Sequence, residues 1–355
     1  MQKINFTKGE LITKIMLSAL VVGIFCFFVF CQNLILASFG YEPYKTAMKN
    51  DFQICFVDVG QGDATFIKYK DTSFLIDCGN SFYAENTAQK IEKLNGENNL
   101  DFLLLTHADT DHTGGAEKIF EKFDVDNFLR PKITTSQEVE KIGNENNYQV
   151  YDTSAYSLAI SSFYREKDCK NVFVEKGVVF SNSEFCFEIL SPISDKDLSI
   201  EDTNSYSSVV KVTYKESTYL LMADCDKKME KKFVEVYGEK LKCDILKVSH
   251  HGSNNGTCEE LLNVARPKFA IASVGEVGLK EYGHCGEDFC LRLEKYGVAK
   301  LQTSEKGSIM FSGHNGEKII CFKVISTLSI PAISVVCVVL VLLIWAFRPQ
   351  KNKKS

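Results

Sequence analysis

Apolar residues are distributed along this chain in two ways. In the middle they form short β-rich runs bounded by turn residues; at the two ends they form long unbroken blocks. The middle pattern predicts strands at Gln53–Val59, Thr65–Tyr69 and Ser73–Ile76, separated by Gly-Gln-Gly-Asp and Lys-Asp-Thr turns. Ala88, Ile91 and Leu94 share one face of a predicted helix over Glu85–Leu94. Phe102–Leu105 reads as a buried strand, and a helix is predicted over Gly114–Phe123. Val172–Leu190 alternates like two strands. Val209–Tyr214, Tyr219–Met222, Cys243–Val248 and Phe269–Ser273 are further strands, with helices predicted at Met229–Val236, Glu259–Ala265 and Glu287–Tyr296. The polar stretch Thr134–Lys170 has no clear period. Two β-rich halves with helices outside them predict a layered α/β domain, and the pattern alone does not choose among such folds.

The end blocks change the picture. No charged residue occurs in the 25 positions from Ile15 to Phe39, or in the 24 from Val324 to Phe347. About 20 apolar residues in a helix cross a hydrocarbon core, so each block is long enough to span a membrane. A cleaved signal peptide has an apolar core of about 7–15 residues; the first block is longer and no small-x-small site follows it, which favours an anchor. Paired buried core helices are the other reading, against which the basic flanks weigh. Lys3, Lys8 and Lys14 precede the first block, and Arg348, Lys351, Lys353 and Lys354 follow the second. Positive charge prefers the cytoplasmic side. The expected layout is a cytoplasmic segment 1–14, a span 15–39, an outward-facing domain 42–322, a span 324–347 and a basic cytoplasmic tail 348–355.

Net charge sharpens this layout. The two flanks carry +2 and +4 of a chain total of −5, which leaves −11 on the remainder. An acidic domain repels polyanions at long range and lacks the excess of Lys and Arg on which sequence-independent nucleic-acid binding relies. Of the 13 Cys, nine lie between residues 55 and 290, an odd number with no C-x-x-C pair. Neither a zinc ribbon nor a complete disulfide framework is indicated; Cys55 and Cys186, within strand-like runs, read as small core hydrophobes.

Four of the six His fall into two tight clusters, each directly after an apolar strand. The first, LLLTHADTDHTGG, holds His107, Asp109, Asp111 and His112; the second, ILKVSHHGS, holds His250 and His251. Between them, YLLMADCD places Asp224 after another strand. Singly, each reads as a hydrogen-bonded turn residue. Together they point to a metal site, because convergent imidazoles and carboxylates are what divalent ions need.

His107-x-Asp109-x-Asp111-His112 resembles the H-x-H/D-x-D-H motif of the metallo-β-lactamase superfamily. The segments FVDVGQGDATFI, LIDCGN, THADTDHTGG, NSYSSVVKVTY, LKVSHHGS and YGH are similar, in this order, to the metallo-β-lactamase-like domain of the ComEC branch of DNA-uptake (competence) proteins. The resemblance covers about Phe52 to Phe311 and implies an αββα sandwich with metals at one edge. It implies two divalent ions, the first held by His107 and Asp109, the second by Asp111, His112 and His251, with Asp224 bridging them. His250 would then face the substrate, with His284 of YGH as a second polar contact or general acid. Asp63 and Asp77 would brace the metal loop, a purely structural turn role being equally open; His314 matches nothing and reads as surface. Two departures stand out. No His occurs from 113 to 249, where the superfamily has a third, and Asn204 or Ser207 lies near its place. Cys285 stands where the branch usually has Pro after YGH.

With Asp109 in place of a His, the first site is oxygen-rich, so Mn²⁺ or Mg²⁺ competes with Zn²⁺ there. Two such ions lower the pKa of a shared water towards about 7 and clamp the oxygens of the group attacked. Asp111 would orient the resulting hydroxide, while His250 or His284 would stabilise charge or protonate a leaving group. The expected function is a membrane-tethered phosphodiesterase with nucleic acid as candidate substrate. The alternatives are an envelope hydrolase of small esters, lactams or phosphocholine groups, and a non-catalytic metal-stabilised binding domain.

Overall fold

The computed structural model describes residues 49–313 and 319–322. Residues 15–39 and 324–347 and His314, for which spans and a surface position are expected, lie outside them. Among the described residues no helix is long and apolar enough to cross a membrane.

Two twisted sheets carry the fold, and each is built to the same plan. The first begins with an antiparallel meander of β1 (Phe52–Phe56), β2 (Thr65–Tyr69) and β3 (Thr72–Ile76), then continues in parallel through β4 (Asn99–Leu104), β5 (Asp124–Arg130) and, across the polar stretch, Lys170–Phe173. Strands Ile309–Gly313 and Ile319–Phe322 return from the far end of the sequence to pair beside β1. In the second sheet Gly177–Ser181, Phe185–Ile189, Val210–Tyr214 and Ser217–Leu221 run antiparallel, and Ile245–Lys247, Phe269–Ala272 and Ala299–Gln302 follow in parallel. Parallel neighbours need crossovers, and helices supply them: Ala84–Asn95 between β3 and β4, Ala116–Lys122 between β4 and β5, Lys227–Tyr237 and Glu259–Ala265 in the second half. The result is an αββα sandwich.

Burial follows the alternation. Phe185, Phe187 and Ile189 point inward from one strand and Val210, Val212 and Tyr214 from its partner, meeting Phe52, Ile54, Phe56 and Phe74 of the first sheet. Phe74 stacks between Phe102 at 4.8 Å and Phe187 at 4.7 Å, centroid to centroid, within the range in which offset aromatic pairs add to area burial. A second core, including Leu246, Leu262, Phe233 and Phe289, packs the second sheet against its helices. Cys55 is buried in β1, whereas Cys186 sits half-buried on the outward row of its strand.

The sequence-based boundaries compare closely where the period is strong. Thr65–Tyr69 and Glu259–Ala265 coincide with observed elements, while Cys243–Val248 shortens to Ile245–Lys247. The unassigned stretch 134–170 contains helices Ser136–Ile142 and Ser154–Phe163. Thr135 and Thr153 cap them by accepting from backbone N–H groups three residues on. The second is buried at Ala155, Tyr156, Ala159, Ile160, Ser162 and Phe163; its apolar face is interrupted by Ser, which blurs the period.

Candidate metal centre

The candidate ligands leave the carboxyl ends of equivalent strands in the two sheets. His107 to His112 follow β4, the first parallel neighbour of β3; His250 and His251 follow Ile245–Lys247, the first parallel neighbour of Ser217–Leu221. Asp77 follows β3 and Asp224 follows Ser217–Leu221, so each half also contributes one carboxylate beside its His loop.

Asp63, His112, Asp224 and His251, all buried, each place a ligand-type atom within 4.8 Å of the others. Asp111 Oδ2 lies 3.2 Å from His251 Nε2, and Asp224 lies 3.3 Å from both His112 Nε2 and His251 Nε2. His107 is alongside, its ring 4.1 Å from that of His112 and its Nε2 3.7 Å from Asp109. His107, His112 and His251 each commit Nδ1 to a partner. His112 donates to Asp77 at 2.7 Å and His251 to the Ser273 carbonyl at 2.9 Å. His107 donates to the Thr106 hydroxyl at 3.0 Å, which itself donates to Asp77. Such outer partners fix the tautomer and aim the other ring nitrogen.

The three Nε2 atoms, with Asp63 Oδ1 and Asp224 Oδ1, are buried without an aligned hydrogen-bond partner, although carboxylates stand within 3.3 Å of two of them. Buried polar atoms are seldom left so. Imidazole nitrogens and carboxylate oxygens converging on one space form a donor set that suits a divalent cation, so the residues fit the group that the fold implies. Electrostatics agree. Burial opposes charge on His112 and His251, but Asp224, with Asp77 for the one and Asp63 for the other, outweighs it and holds both well above the ordinary imidazole range. Burial likewise works against the carboxylates, yet the same imidazoles hold Asp224 and Asp111 well below the usual carboxylate range.

The two adjacent His diverge. His251 is 1% exposed and faces the carboxylates, whereas His250 has a third of its side chain exposed and stands 3.7 Å from Asp224 on the wall of an open cleft of about 1350 Å³. Both are in the left-handed region, with φ of 46° and 55°, followed by Gly252 at 85°; each such non-Gly residue costs about 1–3 kcal/mol. His284 also lines the cleft, its ring 5.6 Å from each of the other two. Burial and then the charges of His251 and His250 push its pKa down to about 4. Cys285 follows at φ 53° and donates its N–H to the Gly252 carbonyl at 2.9 Å. Proline, with φ locked near −65° and no N–H, could do neither.

Several participants gave no signal in the sequence reading. Lys247, 2% exposed, lies 2.7 Å from Asp63 Oδ2, so that carboxylate is shared between a fixed cation and the ligand cluster. The Thr203 hydroxyl, rather than Asn204 or Ser207, donates to Asp109. Ser207 accepts the Asp224 N–H at 3.2 Å, and Asn204 Oδ1 is buried without a partner. Gln61 accepts from Gly275 N–H and turns its amide nitrogen to His284 Nδ1 at 3.5 Å. Nothing local marks Lys247, Thr203 or Gln61, because their partners lie 94 to 223 positions away in sequence.

Fold and centre together define an αββα protein with candidate ligands pooled at the carboxyl ends of strands from both sheets. The chain belongs to the metallo-beta-lactamase superfamily, whose sequence model matches residues 57–276. It is 27% identical over 285 residues to ComE operon protein 3 of Bacillus subtilis, covering 76% of this chain and 34% of that protein. It is 28% identical to Recombination protein 2 of Haemophilus influenzae (78% of this chain, 31% of that one) and 28% identical to competence protein ComA of Neisseria gonorrhoeae (80% and 36%). The chain therefore spans about a third of the length of each of these relatives.

Proposed function

We propose that this chain is a metal-dependent phosphodiesterase that is tethered to a membrane by residues 15–39 and 324–347, with the domain at 42–322 outside the cell and both termini cytoplasmic. The observation that carries the reading is the set of three orphaned Nε2 atoms and buried carboxylates, of which His251, Asp224, Asp111 and Asp109 line the open cleft. The names of the relatives, competence and recombination proteins, support nucleic acid as the substrate.

His112, His251 and Asp224, with Asp111, would hold one divalent cation, and His107 with Asp109 a second, Asp224 lying between. Zn²⁺ or Mn²⁺ suits this set, with Mg²⁺ a third candidate. Such ions supply an acidified water and neutralise charge on the oxygens of the group attacked. The chain does the rest. Asp111, a quarter exposed and ionised, orients the attacking water towards the cleft. His284 is neutral at neutral pH. Gln61, donating to its Nδ1, leaves the ring proton on Nε2, where it can donate a hydrogen bond to a leaving oxygen. His250, the most exposed of these imidazoles, stands beside His284 on the same cleft and would contact substrate there.

One observation favours a second reading. Among the residues lining the cleft, Lys90 is the one Lys or Arg, and the protein outside its basic flanks is acidic. A small ester, lactam or phosphocholine substrate would meet no such repulsion; a metal-stabilised binding domain is the non-catalytic form of the same site. The purified chain, loaded with Mn²⁺, Zn²⁺ or Mg²⁺, is expected to cut single- or double-stranded DNA with at least one ion. Asp111→Ala should lower that rate by about 10²–10⁴-fold. Turnover of an acyl ester without DNA cleavage overturns the nuclease reading, and no turnover with metal bound favours the binding domain. Protease added to intact cells should reach residues 42–322; protection would overturn the orientation.

A further inference from the structure

A buried acid that touches no candidate ligand is hydrogen-bonded to both ends of the second His loop. We propose that Glu230 is a positioning residue of the metal centre, clamping the loop from Ser249 to Cys258 so that His251 is turned inward; this rests on the metal reading above. Glu230 sits in helix Lys227–Tyr237 and is fully buried. Its carboxylate accepts from the Ser249 hydroxyl, from Thr257 N–H at 2.6 Å and from Cys258 N–H at 2.6 Å. One side chain thus grips the residue before the two His and two residues beyond the turn. Among the described residues its hydrogen-bond partners are these neutral donors, and no ion pair to Lys, Arg or His accompanies them. Burial raises its pKa, and these donors work against the rise.

A carboxylate without a cation is an unfavourable choice for a core, and packing alone would be served by an apolar residue. What a carboxylate offers is acceptors only, and three donors meet here. The strain lies between the clamped ends: His250, His251 and Gly252 are three consecutive left-handed residues. Of the bonds that hold them, His250 N–H to Ala223 and Cys285 N–H to Gly252 anchor the middle, and Glu230 anchors both ends. Without it the loop can relax towards ordinary backbone angles, which rotates His251 Nε2 away from Asp111 and Asp224.

The test uses the full 355-residue chain. Mn²⁺ binding is followed by loss of the free-ion paramagnetic resonance signal in wild type, Glu230→Gln and Phe233→Leu. Phe233 lies on the same helix in the apolar core and controls for general destabilisation; melting of the metal-free chain matches the two variants. Glu230→Gln presents a donor where an acceptor is needed and is expected to weaken Mn²⁺ binding about 10–100-fold, while Phe233→Leu binds as wild type does. Should Glu230→Gln not fold, Glu230→Asp, which withdraws the acceptors by one methylene, carries the same comparison. Equal affinities in the Glu230 variant and wild type, or equal losses in both variants, overturn the inference alone. A wild type that binds neither Mn²⁺ nor Zn²⁺ overturns the metal reading beneath it.

Discussion

The loops after β4 and after Ile245–Lys247 leave matching positions in the two sheets, yet they hold their imidazoles by opposite means. The first is closely packed backbone in ordinary conformation. Asp77, at the end of the neighbouring strand, takes the His112 ring N–H, the Thr106 N–H and the Thr106 hydroxyl. Gly114 and Gly115 lie so near the chain at Asn80–Ser81 and Cys78 that a Cβ on either would overlap backbone. The second loop is strained, left-handed for three residues, and held from outside by Glu230. A metal site can thus be aimed by close packing of an unstrained loop or by clamping a strained one. The second depends more on distant residues.

Glycine substitutions should break this contrast most severely. In Gly115→Ala the new methyl carbon would lie 2.2 Å from the Cys78 carbonyl oxygen, where only backbone could move. A loss of more than about 3 kcal/mol is expected, the upper end for overpacking, read as an unfolded or strongly destabilised chain in denaturant melts. In Gly252→Ala the nearest atom is the Cys285 Sγ at 2.8 Å, the tip of a side chain that can turn. There the left-handed φ dominates, and about 1–3 kcal/mol is expected. Equal losses would mean that the two loops are not held differently.

Asp77→Asn comes next. It keeps the shape of the first loop but weakens the acceptor for the His112 ring N–H, so metal affinity should fall about 10–100-fold by calorimetric titration. The effect should resemble that of Glu230→Gln, since each removes the brace of one loop; an unchanged affinity would remove Asp77 from the account.

Protons give the mildest and most general comparison. In the metal-free chain His112 and His251 are raised above their ordinary value of 6.5. Their contribution to stability is fully present below about pH 6.5 and is lost as pH climbs through the raised values. Asp111 and Asp224 are depressed below their ordinary 3.8; their contribution is present above about pH 4 and is lost as pH falls through the depressed values. A cation must displace the two imidazole protons, so its affinity rises with pH and binding releases protons. The melting temperature of the chelator-treated chain should therefore decline above pH 6.5 while the metal-loaded chain holds or gains. Parallel curves would break the link between these imidazoles and the metal.

Much of this was legible beforehand where chemistry and period coincide locally. The LLLTHADTDHTGG segment places a strand and its polar loop within 13 residues, and helix 259–265 and strand 65–69 emerge with their observed ends. The stretch 134–170 stayed unassigned because its helices are capped by single Thr side chains and bury a mixed Ser-bearing face. The site shows the same division. His107, Asp109, Asp111, His112, Asp224 and His251 were named by type and position, whereas Thr203, Gln61, Lys247 and Glu230 were not, each being joined to its partner only by folding.

The sequence by itself determined the superfamily, the kinds of candidate ligand, their placement after strands and the acidity of the chain between two apolar blocks. Those properties reside in composition and in spacings of a few residues. Only the tertiary structure decided that His251 turns inward and His250 outward, that Asp63 is shared with Lys247, and that a buried Glu230 secures the strained loop. Side-chain direction in a loop follows φ and ψ, and here the ends of the loop are hydrogen-bonded to one residue 19 to 28 positions away, which no short-range pattern encodes.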